Sequence, residues 1–189
     1  MAIEVLNLEP WFIGDKKDRS LLAAKTNTVC HETGFFYIRN HGISEAVCAD
    51  YFAAIKAFFD LPVEEKARLD KAHSPQFRGW ERLGSELTNN ATDYREQIDI
   101  GVDCPAVKDP DPYYLALLGP NQWPEEHLIP GFRDTVTDFI DRLGDLSRTL
   151  LRLMSLSLGL DENHMETVFG ENPSPYTCLL YTSPSPRDA

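Results

Sequence analysis

The stretch Gly34-Phe35-Phe36-Tyr37-Ile38-Arg39-Asn40-His41-Gly42-Ile43 constrains this chain more than any other. Two phenylalanines, a tyrosine and a β-branched residue follow one glycine, and a polar turn closes on a second. Aromatic and β-branched side chains suit the pleated surface of a strand, and glycines at both ends supply the turns. The stretch is predicted to be a short buried strand over Phe35–Ile38. Helical patterns flank it, so the neighbouring helices are expected to pack on it.

Upstream, Ile3-Glu4-Val5-Leu6-Asn7-Leu8 alternates apolar and polar residues, the period of a half-buried strand, and Pro10 stops it. A helix is predicted from about Asp18 to Thr33, with Leu22, Val29 and Cys30 on one face and Gly34 at its C-terminal cap. Downstream, Ser44 offers a hydroxyl to the free N–H groups of a second helix. Val47, Tyr51, Ile55, Phe58 and Phe59 recur at three- and four-residue steps along it, the spacing that burial demands. Pro62 breaks the run, and Val63-Glu64-Glu65-Lys66 begins a short helix with acids in its first turn.

From His73 to Thr92 the periodicity is lost. Pro75, Gly79, Gly84, Asn89 and Asn90 punctuate extended segments and loops, where ligand contacts concentrate. Glu96-Gln97-Ile98-Asp99-Ile100-Gly101-Val102 alternates again and is predicted to be a strand. Residues 103–125 hold Pro105, Pro110, Pro112, Pro120 and Pro124 and are expected to be mostly irregular. The longest helix is predicted over Pro130–Leu158, about 40 Å at 1.5 Å per residue. A shorter one is predicted from Glu162 to Phe169, so the elements together read as an α+β chain.

Eighteen basic against thirty acidic residues give a net charge of −12, a surface that repels phosphate backbones and argues against a nucleic-acid partner. No apolar run approaches the ~20 residues that span a bilayer, and Met1-Ala2-Ile3-Glu4 lacks the regions of a signal peptide, so no membrane partner is expected. Cys30, Cys48, Cys104 and Cys178 form no C-x-x-C pair and read as scattered reduced thiols of a cytoplasmic protein.

Several separate motifs carry a family resemblance. Besides Gly34–Ile43 there is Phe58-Phe59-Asp60-Leu61-Pro62-Val63-Glu64-Glu65-Lys66, similar to a family pattern FF-x-LP-x-EEK. Gln76-Phe77-Arg78-Gly79-Trp80 resembles RGY/RGW. Gly84-Ser85-Glu86 with Asp93-Tyr94-Arg95-Glu96-Gln97-Ile98-Asp99-Ile100-Gly101 resembles GSE…D-x-KE-x-FDIG. Gly119-Pro120-Asn121-Gln122-Trp123-Pro124 resembles G-x-N-x-WP, and Leu158-Gly159-Leu160 follows the long helix in the expected order. Together they resemble the N-terminal region of the isopenicillin N synthase-like, Fe(II)/2-oxoglutarate-dependent dioxygenases. The resemblance implies a helical N-terminal region packed on the first strands of a double-stranded β-helix, a jelly roll that would here be incomplete. It implies Fe(II) and 2-oxoglutarate as cofactors, and oxidation of an unactivated C–H bond of a small organic substrate. It also places the segment matching Arg78-Gly79-Trp80 near the substrate entrance. Arg78 is then a candidate partner for a substrate carboxylate, because its guanidinium forks onto two oxygens, or else a member of a surface ion pair. Trp80 is a candidate substrate contact or a wall of the core. Glu96 is expected to anchor its strand through a salt bridge.

A facial triad needs two histidines and a carboxylate on one metal, the first pair supplied by the family as H-x-D on a strand. His31, His41, His73 and His127 are followed two residues on by Thr33, Ile43, Pro75 and Ile129. His164-Met165-Glu166 matches H-x-E but falls on a predicted helix, where i and i+2 lie about 200° apart. His41 belongs to a turn, and Asp60, Glu64 and Glu65 read as helix-terminal surface charges. No catalytic or metal-ligating residue is therefore assigned. The chain is expected to be an N-terminal fragment, residues 1–177, that binds neither cofactor by itself. Residues 178–189, Cys-Leu-Leu-Tyr-Thr-Ser-Pro-Ser-Pro-Arg-Asp-Ala, are expected to be a foreign or flexible tail. Alternatives are a non-catalytic helical interaction module and an oxidase similar to isopenicillin N synthase that needs no 2-oxoglutarate.

Overall fold

Pro10, read above as the end of a strand, instead sits in the first turn of a helix, where its missing N–H is no loss. The computed structural model describes residues 3–85, 87–88, 91–92 and 94–169. The expectations for Glu86, Asn89 and Asn90 and for the 178–189 tail lie outside the described residues. In order, the elements are β1 (Val5–Asn7), α1 (Glu9–Ile13), α2 (Lys16–Glu32), β2 (Tyr37–Arg39), α3 (Glu45–Phe59), α4 (Val63–Ala67), β3 (Gly79–Glu81), β4 (Leu87–Thr88), β5 (Ala91–Thr92), β6 (Gln97–Asp99), α5 (Phe132–Ser157) and α6 (His164–Phe169). The α+β character expected from the sequence holds. The chain divides into two compact units, residues 3–48 with 139–169, and residues 49–138.

In the first unit β1 and β2 pair in parallel, with Leu6 opposite Ile38. Leu8, Trp11, Leu22, Ala23 and Leu153 form a buried cluster, and Ile38, Leu146, Leu150 and Leu156 pack on it. The strand expected over Phe35–Ile38 is shifted and is not buried throughout. Phe35 and Tyr37 are exposed, and Ile38 packs against the cluster. Alternation explains this: on a two-stranded sheet covered on one side, Tyr37 and Arg39 point away from the face that Ile38 shares with the core. Helix α2 starts earlier than predicted because Asp15 caps it. The Asp15 carboxylate accepts from the backbone N–H groups of Lys17 and Asp18 at 2.8 and 3.0 Å, and Asp18 reciprocates. The Asn27 amide donates to the Ser157 carbonyl at 2.9 Å, tying α2 to the end of α5.

In the second unit the stripe of α3 is realised as buried Tyr51, Ile55 and Phe58. The Phe58 ring lies 5.7 Å from that of Phe132, which meets Trp123 at 6.2 Å. Strands β3 and β6 pair antiparallel, Gly79 opposite Asp99, Trp80 opposite Ile98 and Glu81 opposite Gln97. Strand β6 is shorter than the predicted 96–102, and both of its faces are buried. Among the described residues no helix is long and apolar enough to cross a membrane.

Candidate functional site

The β3–β6 pair is where the sequence motifs converge. On one face lie Trp80 and Ile98. Trp80 is 2% exposed, and its indole N–H donates to Glu96 Oε1 at 2.7 Å. The same oxygen receives Lys66 Nζ at 2.6 Å, the salt bridge expected of Glu96. Lys66 also donates to the Phe59 carbonyl at 2.8 Å and stands 5.8 Å from the Trp80 ring centroid. A buried ammonium is tolerable only when its donors are used, and here two are spent on these oxygens. The EEK, RGW and KE motifs thus meet in one buried triad.

The opposite face carries Glu81, Gln97 and Asp99. Lys71, from the short turn of 3₁₀-helix at Lys71–His73, reaches Asp99 at 2.8 Å and Glu81 at 3.2 Å. The Gln97 amide donates to Glu81 at 2.9 Å and to Asp99 at 3.3 Å. Burial acts to lower the Lys71 pKa, but the hydrogen bonds and charges of Asp99 and Glu81 outweigh it and hold the ammonium above the usual lysine value. This polar face was not singled out in the sequence. Its signal is the polar residues two apart in Gln97-Ile98-Asp99, which on a strand share a side.

The ends of the pair are bracketed by side chains that bond backbone. Asn121 accepts from the Gly101 N–H at 2.9 Å and donates to the Gly101 carbonyl at 2.8 Å, in place of a neighbouring strand. The Gln122 amide reaches the carbonyls of Asp70 at 2.9 Å and Arg78 at 2.7 Å. Gly79, at φ +120°, passes so close to the Leu69 carbonyl and the Gln122 amide that a Cβ there would collide with both. Asp103 takes the Trp123 indole N–H at 3.1 Å and Arg133 Nη2 at 2.7 Å.

Arg78 lies beside this bracket. Its backbone N–H donates to Ser74 Oγ at 3.1 Å, and its guanidinium covers Gly101 and donates to the Leu117 carbonyl at 3.3 Å. Its Nε is buried without an acceptor. Among the described residues no carboxylate pairs with it. His41 keeps to its turn, Nδ1 accepting from the Ile43 N–H at 3.3 Å. His164 and Glu166 share helix α6, and both Glu166 oxygens are taken by Arg152, at 2.9 and 3.1 Å. Among the described residues no group of three or more His, Cys, Asp or Glu could hold a metal ion. These residues therefore do not furnish a site for iron.

The bracketed β3–β6 pair is built by motif residues, and a family described as non-haem dioxygenase in morphine synthesis N-terminal matches residues 3–126. The chain belongs to the Fe(II)/2-oxoglutarate-dependent dioxygenases. It matches their N-terminal region, as the motifs implied. The chain is similar to the 2-oxoglutarate-dependent dioxygenase frbJ of a Dothideomycetidae species, 41% identical over 138 residues, which are 73% of this chain and 37% of that protein. It is 30% identical over 164 residues to kihadalactone A synthase LFS of Citrus sinensis, covering 84% of this chain and 48% of that one. The chain thus spans less than half the length of either relative. Its fold is similar to part of a full-length Neurospora crassa protein solved in complex with alpha-KG, at a TM-score of 0.71 and 24% identity, covering 87% of this chain and 49% of that one. A 2OG-Fe(II) oxygenase family protein from Caulobacter crescentus matches at the same TM-score of 0.71, 23% identical, with 87% of this chain and 51% of that one aligned.

Proposed function

We propose that residues 1–177 are the N-terminal domain of an oxygenase that uses Fe(II) and 2-oxoglutarate to oxidise an unactivated C–H bond of a small organic substrate. The family membership supports the reaction class. The observation that carries the local assignment is Arg78: a half-buried guanidinium with a buried, acceptor-less Nε and no carboxylate of its own among the described residues. A cation so placed is poised for a carboxylate brought by the substrate. Trp80 contributes from behind, holding β3 in register through Glu96. Cys30, Cys48 and Cys104 are free thiols, which supports a reducing, cytoplasmic setting.

The test is to read the source gene past the Thr177 codon and to express the frame it contains. The reading expects an H-x-D, a distant histidine and an R-x-S in that frame, and Fe(II)-dependent conversion of 2-oxoglutarate to succinate by the product. A stop directly after the present sequence in the genome, with no such turnover, overturns it.

A further inference from the structure

We infer that the polar side of the β3–β6 pair is a recognition site for a flat ligand bearing N–H donors, with Phe77 as its stacking platform. The inference deepens the proposed function, since it names the chemistry of the molecule the oxygenase would receive. A cleft of about 380 Å³ opens on this side, lined by Lys71, Ser74, Phe77, Glu81, Arg82 and Ser85 among others. That volume suits a single ring with its substituents.

Two observations within the second unit converge on it. Phe77 stands at the cleft 60% exposed, although a phenyl ring gains from burial. Its backbone holds φ at +57°, a conformation that a bulky L-residue adopts only under constraint. The constraint is local: the Phe77 N–H donates to the Ser74 carbonyl at 3.0 Å, and Ser74 Oγ takes the next N–H at 3.1 Å. A strained turn that presents an aromatic face to solvent beside a cavity is a platform awaiting a partner.

The second observation is the cleft wall. Glu81 Oε2 is used by Lys71 and Gln97, whereas among the described residues Oε1 receives only the Ser85 hydroxyl, at 3.1 Å, and keeps an acceptor position open. Behind it Gln97, 2% exposed, donates through Nε2 to Glu81 and holds that carboxylate at the wall. The open position on the cleft wall is an acceptor, so the group that fits it is a donor. Arg82, at the rim, would favour an anion, and that is the rival the experiment separates.

The test is calorimetric titration of the full 189-residue chain carrying Arg78→Gln, so that no carboxylate pairs there, without iron or 2-oxoglutarate, with benzamidine and with benzoate. The two share a ring and differ in the sign of their charge and in carrying N–H donors or acceptors, so the Phe77 variants separate this cleft from attraction to the net charge of −12. Benzamidine is expected to bind at least tenfold more tightly than benzoate. Phe77→Gly should weaken benzamidine at least tenfold while its Tm is unchanged or higher, because glycine relieves the strain at φ +57°. Phe77→Tyr should retain binding. Equal or tighter binding of benzoate, binding by neither probe, or full benzamidine affinity in Phe77→Gly each overturns the inference. Failure of 2-oxoglutarate turnover in the longer frame would overturn the reaction class and leave this binding result standing, so the two readings fail separately.

Discussion

Single side chains in this dioxygenase region are asked to satisfy several partners at once, and two lysines show the consequence. Lys66 is buried between Glu96 and the Phe59 carbonyl. Lys66→Met would leave the Glu96 carboxylate in the core with only the Trp80 indole as donor. A loss of about 3 kcal/mol is expected in urea unfolding, the usual order for breaking a buried pair by removing one member. Lys71 is a pH probe. Its folded-state pKa lies above its unfolded value near 10.5, so its contribution is fully present below that value. It is lost as pH rises through the raised folded value. Unfolding measured from pH 8 to 11 should show this chain losing stability above about pH 10.5 relative to Lys71→Met, with the difference constant below it. The sequence foretold the Glu96 salt bridge but not its partner, since thirty residues of loop and strand separate Lys66 from it. That no carboxylate among the described residues pairs with Arg78 was equally invisible, because pairing is a property of neighbours in space.

Among the elements, legibility followed length and period. Helices α3 and α5 were readable because a 3.6-residue repeat of apolar side chains persists over several turns. Helix α1 was missed: it has five residues, and its proline looked like a stop. Strand β2 was placed early and thought buried, since the identity of aromatic residues says nothing about which sheet face is covered. The polar side of β6 was missed because alternation normally means one wet face, whereas here Gln97 and Asp99 are buried as well. The G-x-N-x-WP motif proves to be a bracket and not chemistry. Asn121→Ala would strip both hydrogen bonds from the Gly101 backbone, leaving a buried N–H and carbonyl unpaired. A cost of about 2 kcal/mol follows, checked by urea unfolding, with faster amide hydrogen exchange at Gly101.

For the whole molecule, the charge of −12 and pI near 4.8 set its colloidal behaviour. Like-charged molecules repel at neutral pH and lose that protection as the carboxylates protonate, so turbidity should peak near pH 4.8 and clear on either side. The division into units has a further consequence, on the ribosome. Among the described residues the second unit is one continuous span, residues 49–138, which can close as soon as it emerges. The first is not: Leu8, Trp11 and Leu22 complete their cluster only with Leu153 of α5. At translation speeds of about 5–20 residues per second, they wait on the order of ten seconds for that partner. The N-terminal helices are thus made before the second unit and sheltered after it. That interval is when a chaperone would find them.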